Sequence, residues 1–347
     1  MMRCYRKHQR VISYTVIFLL IISMLIHQYS DIPEELVAVD REFSVDRIQT
    51  ILKYPAEIKP SELDHQSSHP HLPRALNEKQ RLELFDLLTT LVNLLEQNNV
   101  TYIMADGTLL GSYFFHDVIP WDDDLDILLS WEDFPRIRKL FSDRTLRQTY
   151  DVRSYHSDID WYSLDSLERG IPKLSTFQDD YFFQQQQGRA FKFKFFANSG
   201  RSSGEYPWKW PFIDLKYFRE TPEGAGIYIM DYFTDREIIN LKSDVFPIHR
   251  RPFGNLWLPA PRNTRQFLKT KYGKFTCTGH SWDHINERYQ QRRYAFCRDV
   301  IGTYTHVHRT WIDNNTCVES LLLQDKILHS VQVKEPYHKI LGYYDLK

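Results

Sequence analysis

The sequence predicts a mixed α/β or α+β domain behind a short hydrophobic segment at the amino terminus. Three features predict it. Apolar residues recur at helical spacing after residue 77, short β-rich runs alternate with helical segments from residue 100 onward, and residues 11–26 carry no charge. The order is helix, strand, short helix, strand, helix and then several strands, which is that of a mixed domain.

The first element is Val11 to Ile26, dominated by Val, Ile, Leu and Phe. As a helix it spans about 24 Å, slightly less than a typical hydrocarbon core. Gln28, Tyr29 and Ser30 extend the uncharged margin. Arg3, Arg6, Lys7 and Arg10 precede it, whereas Asp31, Glu34, Glu35 and Asp40 follow it against Arg41 alone. That asymmetry puts residues 1–10 in the cytosol and residues 11–28 across the membrane as a signal anchor. A type II membrane protein of the Golgi or ER is expected, since a short anchor suits thin early secretory membranes. A cleaved signal peptide is the competing reading, although no small-x-small site stands near Ile26-His27-Gln28. Either way, residues from about 30 onward face a lumen. Two sequons, Asn99-Val100-Thr101 and Asn314-Asn315-Thr316, agree with that placement. Cys277, Cys297 and Cys317 are lumenal and odd in number, so at most one internal disulfide forms, and their flanks read as neither repeat nor zinc site.

The chain of 347 residues carries 44 Lys+Arg against 45 Asp+Glu. Such a balance excludes a generic nucleic-acid binder, whose footprint is a basic face. It is the sum of a basic tail and a mildly acidic remainder, because four cations and no acid lie in residues 1–10.

Residues 29–75 mix Pro, His, Ser and charge and read as a stem, with His69 and His71 solvated. The folded domain is expected from 76 to 347. Asn77 and Gln80 form a capping pair. Leu84, Phe85, Leu88, Leu91, Val92 and Leu95 then follow at helical spacing. Val100 to Met104 reads as a strand ending at Asp106-Gly107, and Thr108 to Phe115 as a short helix broken by Ile119-Pro120-Trp121. Asp124 to Leu129 reads as a buried strand. Ser130 with Asp133 caps a helix over Phe134 to Phe141. Ala190–Phe196, Phe212–Phe218 and Gly226–Tyr232 read as strands, and Arg262–Tyr272 as a helix.

Asp122, Asp123, Asp124 and Asp126 place four carboxylates in five positions at the head of an apolar strand. In an extended chain alternate residues share a face, so Asp122, Asp124 and Asp126 project together while Leu125 and Ile127 enter the core. Like charges so close resist joint ionisation unless a cation sits between them. Hard oxygen ligands favour Mg²⁺ or Mn²⁺ completed by substrate phosphates. The Gly107-Thr108 helix start lies just upstream, and helix amino termini bind phosphate.

The run Asp106-Gly107-Thr108-Leu109-Leu110-Gly111, followed by Ile119-Pro120-Trp121-Asp122-Asp123-Asp124-Leu125-Asp126-Ile127, resembles the signature of the LicD family. That family includes bacterial phosphocholine transferases, fukutin and fukutin-related protein. The resemblance continues at Trp210-Pro211-Phe212-Ile213-Asp214-Leu215. It ends in Leu258-Pro259-Ala260-Pro261, Phe267-Leu268 and Tyr272-Gly273-Lys274-Phe275, so it covers about residues 78–290. It implies an α+β fold with a nucleotidyltransferase-like mixed sheet flanked by helices. It also implies metal-dependent transfer of a phospho-alcohol, such as phosphocholine or ribitol phosphate, from a CDP-activated donor to a glycan or glycoprotein hydroxyl. Gly107 and Thr108 would then face the donor phosphates. Asp124 and Asp126 would be the paired metal carboxylates, Asp214 the third, and Asp122 an extra ligand. The sequence departs from the family where Arg, then His or Gly, commonly follow the small helix, since Phe114, Phe115 and His116 stand there.

Other residues are less specific. Lys192 and Lys194 share one face of a strand, either solvated or toward donor phosphate, and Lys216 shares a strand face with Asp214. Glu287, Arg288 and Arg292 fit an exposed helix face. Trp208, Trp210 and Trp257 suit a core or a stacking site. Gln184 to Gln187 reads as a polar loop. Two other functions compete with phospho-alcohol transfer: a nucleotide-sugar glycosyltransferase using a metal-bound DxD, and a lumenal binding or scaffold protein on a decayed transferase fold.

Overall fold

A computed structural model describes residues 68–154, 192–221, 223–230 and 239–337. All of them belong to one unit, Gln49–Lys347. The expected cytosolic tail, the anchor at 11–28, the stem up to 67 and the Gln184–Gln187 loop lie outside the described residues. Among the described residues no helix is long and apolar enough to cross a membrane.

Helix α1, Glu78–Gln97, starts at the expected capping box: Asn77 Oδ1 accepts from the Gln80 N–H, and Gln80 Oε1 accepts from the Asn77 N–H. Its apolar stripe buries Leu84, Phe85, Leu87, Leu88, Leu91, Val92 and Leu95. Each such burial stabilises by about 1.5–3 kcal/mol, which outweighs helix propensity as the reason the helix forms. Strand β1 (Tyr102–Met104) leads into α2 (Asp106–Phe115), which starts two residues earlier than the sequence predicts. Strand β2, Leu125–Ser130, is buried throughout. A 3₁₀ turn at Trp131–Asp133 then leads into α3, Phe134–Phe141. The expected side-chain cap there does not form. The Asp133 carboxylate instead accepts from the Thr101 N–H and from Arg136, tying the turn back to β1.

Helix α4 (Leu146–Thr149) and strands β3 (Tyr150–Ser154), β4 (Phe193–Ser202), β5 (Lys209–Glu220), β6 (Gly226–Met230) and β7 (Ile239–Leu241) follow. They complete a seven-stranded mixed sheet of order β1-β2-β5-β4-β3, with β6 on the end of β5 and β7 beside β6. Only β2 and β5 run parallel among its pairs. Their register sets Asp126 opposite Asp214, and β4 sets Lys194 opposite Asp214 on the other side. Three charged residues therefore lie in one row across three strands. Such a row is absent from any one strand's sequence.

Helix α5 (Lys242–Val245), the hairpin β8 (His249–Phe253) with β9 (Leu256–Ala260), and α6 (Thr264–Tyr272) come next. Then β10 (Trp282–Asp283) pairs with β11 (Arg288–Tyr289), so the exposed helix expected around Glu287 is a tight β-turn instead, with Glu287 at φ 48° and buried. Helix α7 (Cys297–Thr303) is joined by disulfide to Cys277, and Cys317 is a buried free thiol. The described chain closes with a three-stranded meander, β12 (His306–Asp313), β13 (Thr316–Leu323) and β14 (Lys326–Lys334).

The boundary between stem and domain needs correction. Leu72 is buried against Cys277, Cys297, Val300 and Tyr304. His69, expected in solvent, is buried, and its backbone N–H donates to the Tyr304 hydroxyl. Residues 68–75 are thus part of the packed domain; His71 is exposed, as expected.

Candidate active site

The site forms where α2 meets the row on the sheet. Two residues hold Asp126 in place: its backbone N–H donates to Thr108 Oγ1 at 2.7 Å, and its carbonyl accepts from the Ala105 N–H at 3.1 Å. Thr108 is buried and its side chain is occupied with this clamp. Gly107 stands against the carboxylates, for a Cβ there would meet Asp122 Oδ2 at 2.6 Å. Gly111 has no room either, since a Cβ would meet the Asp117 carbonyl at 2.3 Å. The Asp-Gly-Thr-Leu-Leu-Gly run is therefore a set of close approaches between α2 and the acidic segment.

Carboxylate oxygens of Asp124, Asp126 and Asp214 all lie within 4.8 Å of one another, and ligand atoms of Asp122, Asp123, Asp124 and His284 form a second such group. Asp124 belongs to both. The sequence-predicted set Asp122, Asp124, Asp126 and Asp214 is brought together. An all-oxygen donor set that is buried and crowded suits a divalent cation, and the cluster could hold one.

The lysines share the negative charge unevenly. Lys192 reaches Asp214 Oδ2 at 2.7 Å and Lys194 reaches Asp214 Oδ1 at 2.9 Å. Neither is on a solvated face: Lys194 is 4% exposed and rests its ammonium 3.4 Å from the Phe212 ring centroid. Lys216 bonds Asp106 and lies 3.2 Å from Asp126 Oδ1, and Lys271 also bonds Asp106. Asp122 and Asp124 have no Lys or Arg partner among the described residues.

The ionisation of the site follows that distribution. Burial raises the Asp214 carboxyl, but Lys192 and Lys194 outweigh it and hold the group well below its ordinary range. Asp106 behaves likewise, through Lys216 and Lys271. Asp126 is pushed up to about 7, by burial first and by the Asp106, Asp124 and Asp214 charges next, which Lys216 offsets only in part. Asp122 is pushed well up by burial and by the Asp124 and Asp123 charges. Negative charge therefore crowds at Asp122, Asp124 and Asp126, where Lys216 and His284 offset it only in part.

Several participants were not legible as site residues. Asp123, just before β2, contributes to the second group and is also tied to the 282–289 turn. Its Oδ2 accepts from the His284 and Ile285 N–H groups, its Oδ1 lies 2.8 Å from His284 Nδ1, and its carbonyl accepts from Trp210 Nε1. It anchors the 282–289 turn beside the carboxylates and brings His284 Nε2 to 3.5 Å from Asp124. Burial lowers the His284 imidazole, but Asp124 and Asp123 outweigh that and push it up to about 10. Glu287 accepts from Trp282 Nε1 and lies 3.6 Å from Lys194. In the sequence Asp106 reads only as a turn and motif residue and Glu287 only as part of an exposed face, while His284 and Lys271 carry no signal, because only the tertiary fold brings the four here. Trp208 and Trp210 are core residues; Trp257 is half-buried against the C-terminal meander. Phe114 packs edge-on against Tyr113 and Phe275, so the cations at the carboxylates come from the lysines and not from the position where the family commonly has Arg. Asn99 and Asn314, the sequon residues, are both exposed.

Residues 99–168 match the LicD/FKTN/FKRP nucleotidyltransferase domain. An uncharacterized protein of Rickettsia typhi is 43% identical over 58 residues, which is 17% of this chain and 19% of the relative. An uncharacterized protein of Rickettsia prowazekii is 41% identical over 58 residues, 17% of this chain and 22% of the relative. The matched segment thus spans about a fifth of each relative. The family match encloses the Gly107–Thr108 helix start and the Asp122–Asp126 cluster, and a LicD domain points to a transferase. Residues 99–168, which carry the first half of the site, are thus similar to the nucleotidyltransferase domain of the LicD/FKTN/FKRP family.

Proposed function

We propose that the protein transfers a phospho-alcohol from a CDP-activated donor to a glycan hydroxyl, with Mg²⁺ or Mn²⁺ held at the carboxylates. The observation that carries this reading is the convergence of Asp124, Asp126 and Asp214 within 4.8 Å beside the amino terminus of α2.

Phosphoryl transfer asks the protein for positioning and charge neutralisation more than covalent chemistry. A divalent ion bound there supplies Lewis-acid neutralisation of phosphate oxygens. Asp124, Asp126 and Asp214 would hold it, with Asp122 as a further ligand. Lys192, Lys194 and Lys216 are then poised to trade carboxylate partners for donor phosphate oxygens, and the N–H groups at Gly107 and Thr108 present the positive end of α2 to the same phosphates. The acceptor oxygen bonds to phosphorus as the bond to CMP breaks. The hydroxyl proton passes to a carboxylate, for which Asp122 and Asp214 are the two candidates.

The Cys277–Cys297 disulfide and the exposed Asn99 and Asn314 support a lumenal, secretory setting for this activity, with glycans on both asparagines. The test is a donor panel on the full chain: CDP-choline, CDP-ribitol, CDP-glycerol and nucleotide sugars, each with Mn²⁺ and glycan acceptors. CMP release that needs both acceptor and metal is the expected result. Turnover of nucleotide sugars alone would establish a glycosyltransferase instead, and metal binding with no turnover of any donor would favour a scaffold.

A further inference from the structure

Glu287 has one oxygen that the fold does not use. Its Oε2 accepts from Trp282 Nε1 at 3.0 Å, whereas its Oε1 is buried with no hydrogen-bond partner. Buried polar atoms are nearly always paired, and an exception calls for a role beyond packing. The residue is also held where its backbone resists. Its φ is 48°, a conformation that residues other than glycine adopt rarely and that persists only when the surroundings impose it. They do so from three sides. Trp282 and Asp283 pair with Tyr289 and Arg288 across the turn. Asp283 also accepts from the Asn286 backbone and side chain. Asp123 accepts from the His284 and Ile285 N–H groups, which fixes the turn to the carboxylate segment.

The unpaired oxygen lies 3.6 Å from the Lys194 ammonium. That ammonium bonds Asp214 Oδ1 at 2.9 Å and lies over the Phe212 and Trp208 rings, 3.4 Å and 5.2 Å from their centroids. With 4% of its side chain exposed, Lys194 has no solvent to turn to. A divalent cation among Asp124, Asp126 and Asp214 puts two positive charges beside it, on the carboxylate it now holds. Away from water, like charges so close repel strongly. Before a donor arrives there is no phosphate oxygen to receive a displaced ammonium. Glu287 Oε1 is an acceptor already in place. Closing the gap to an ordinary charged hydrogen bond takes about 0.8 Å of movement.

We infer, resting on the metal-site reading above, that Glu287 is a positioning residue for the metal: as Asp214 takes up a divalent cation, Lys194 moves from Asp214 onto Glu287 Oε1. The unpaired oxygen, the strained turn and its anchoring to Asp123 then serve one end.

The test is Mn²⁺ titration of the full chain without donor, followed by electron paramagnetic resonance. It compares the parent with Glu287→Gln, Lys194→Met, Lys192→Met and the two double variants that join Glu287→Gln to a lysine change. Gln keeps the shape of Glu287 and still accepts from Trp282. Glu287→Gln should nevertheless weaken Mn²⁺ binding at least tenfold, both alone and in Lys192→Met. In Lys194→Met the same change should cost less than about threefold, because no ammonium needs a new partner. Equal losses in all three backgrounds would mean that Glu287 acts only through its charge, and would overturn the inference, as would no loss in any of them. A second measurement needs no change at Lys194. Saturating Mg²⁺ should shift the Trp282 indole N–H resonance, assigned through Trp282→Phe, in the parent and not in Glu287→Gln; equal shifts in both, or none, also overturn it. Failure of the parent to bind Mn²⁺ would remove the metal-site reading itself, and the role of Glu287 with it.

Discussion

At the scale of single residues, Gly107 shows how close the helix and the acids stand. A Cβ would meet the tip of the Asp122 carboxylate, a flexible group that can swing aside. Gly107→Ala is therefore expected to leave Tm nearly unchanged while weakening divalent-metal affinity roughly tenfold or more, the scale at which displacing groups around a metal acts. Parallel thermal melts and Mn²⁺ titrations check this; equal losses in both would mean that the glycine serves the fold alone. The glycine was legible in the sequence as part of a helix start, and so were the four neighbouring aspartates. What alternation could not supply was the separate duty of Asp123. It holds the 282–289 turn, and its partner His284 is 161 residues distant.

At the scale of elements, α2 is held to the segment after it by Gly111, where a Cβ would meet the Asp117 carbonyl. Backbone cannot yield as a side chain can. Gly111→Ala should destabilise by about 1–3 kcal/mol, the usual cost of overpacking. A urea midpoint indistinguishable from the parent's would contradict that contact. Elements with strong local patterns were readable: α1 from its capping box and apolar stripe, β2 from its continuous apolar run, and α6 within the helical run Arg262–Tyr272. The turn around Glu287 was misread because charges at i and i+4 fit a helix equally well; here Trp282 and Asp123 bind the segment into a β-turn. The meander β12–β14 carried little signal, because its inward positions include the charged Arg309 and Glu319, which breaks the apolar–polar alternation.

At the scale of the whole molecule, that meander is fastened to the β8–β9 hairpin and to the end of α2 by a buried ionic cluster. Glu319 is fully buried and accepts from Arg251 and Arg309, with His116 Nε2 at 2.8 Å and His329 at 3.1 Å from His116 Nδ1. Burial raises the Glu319 carboxyl, but Arg251 and Arg309 outweigh it and hold the group far below its ordinary range. Glu319→Gln leaves buried Arg309 without its carboxylate and Arg251 with Glu335 alone, and should cost about 3–5 kcal/mol. Burial depresses the His116 imidazole, and burial with the neighbouring His116 lowers His329 to about 4. Because both folded values lie below 6.5, the unfolded chain takes up these protons first as pH falls. Their stabilisation is complete above about 6.5 and is lost as pH falls toward 4, with Glu319 adding a further loss below its unfolded value of about 4.5. From pH 7.5 to 4.5 the Tm of His329→Gln should fall less than the parent's, the raised Asp122 and Asp126 carboxyls acting in the opposite sense in both proteins; equal slopes would show that the histidine pair contributes nothing.

The central claim is that the acidic cluster is a metal site. Titration of Mn²⁺ into the full chain, followed by electron paramagnetic resonance with and without CDP, tests it most directly. Saturable binding strengthened by CDP, and weakened at least tenfold in both Asp124→Asn and Asp126→Asn, is the expected result. Mn²⁺ binding that is absent in the parent, or that both variants retain in full, would contradict it.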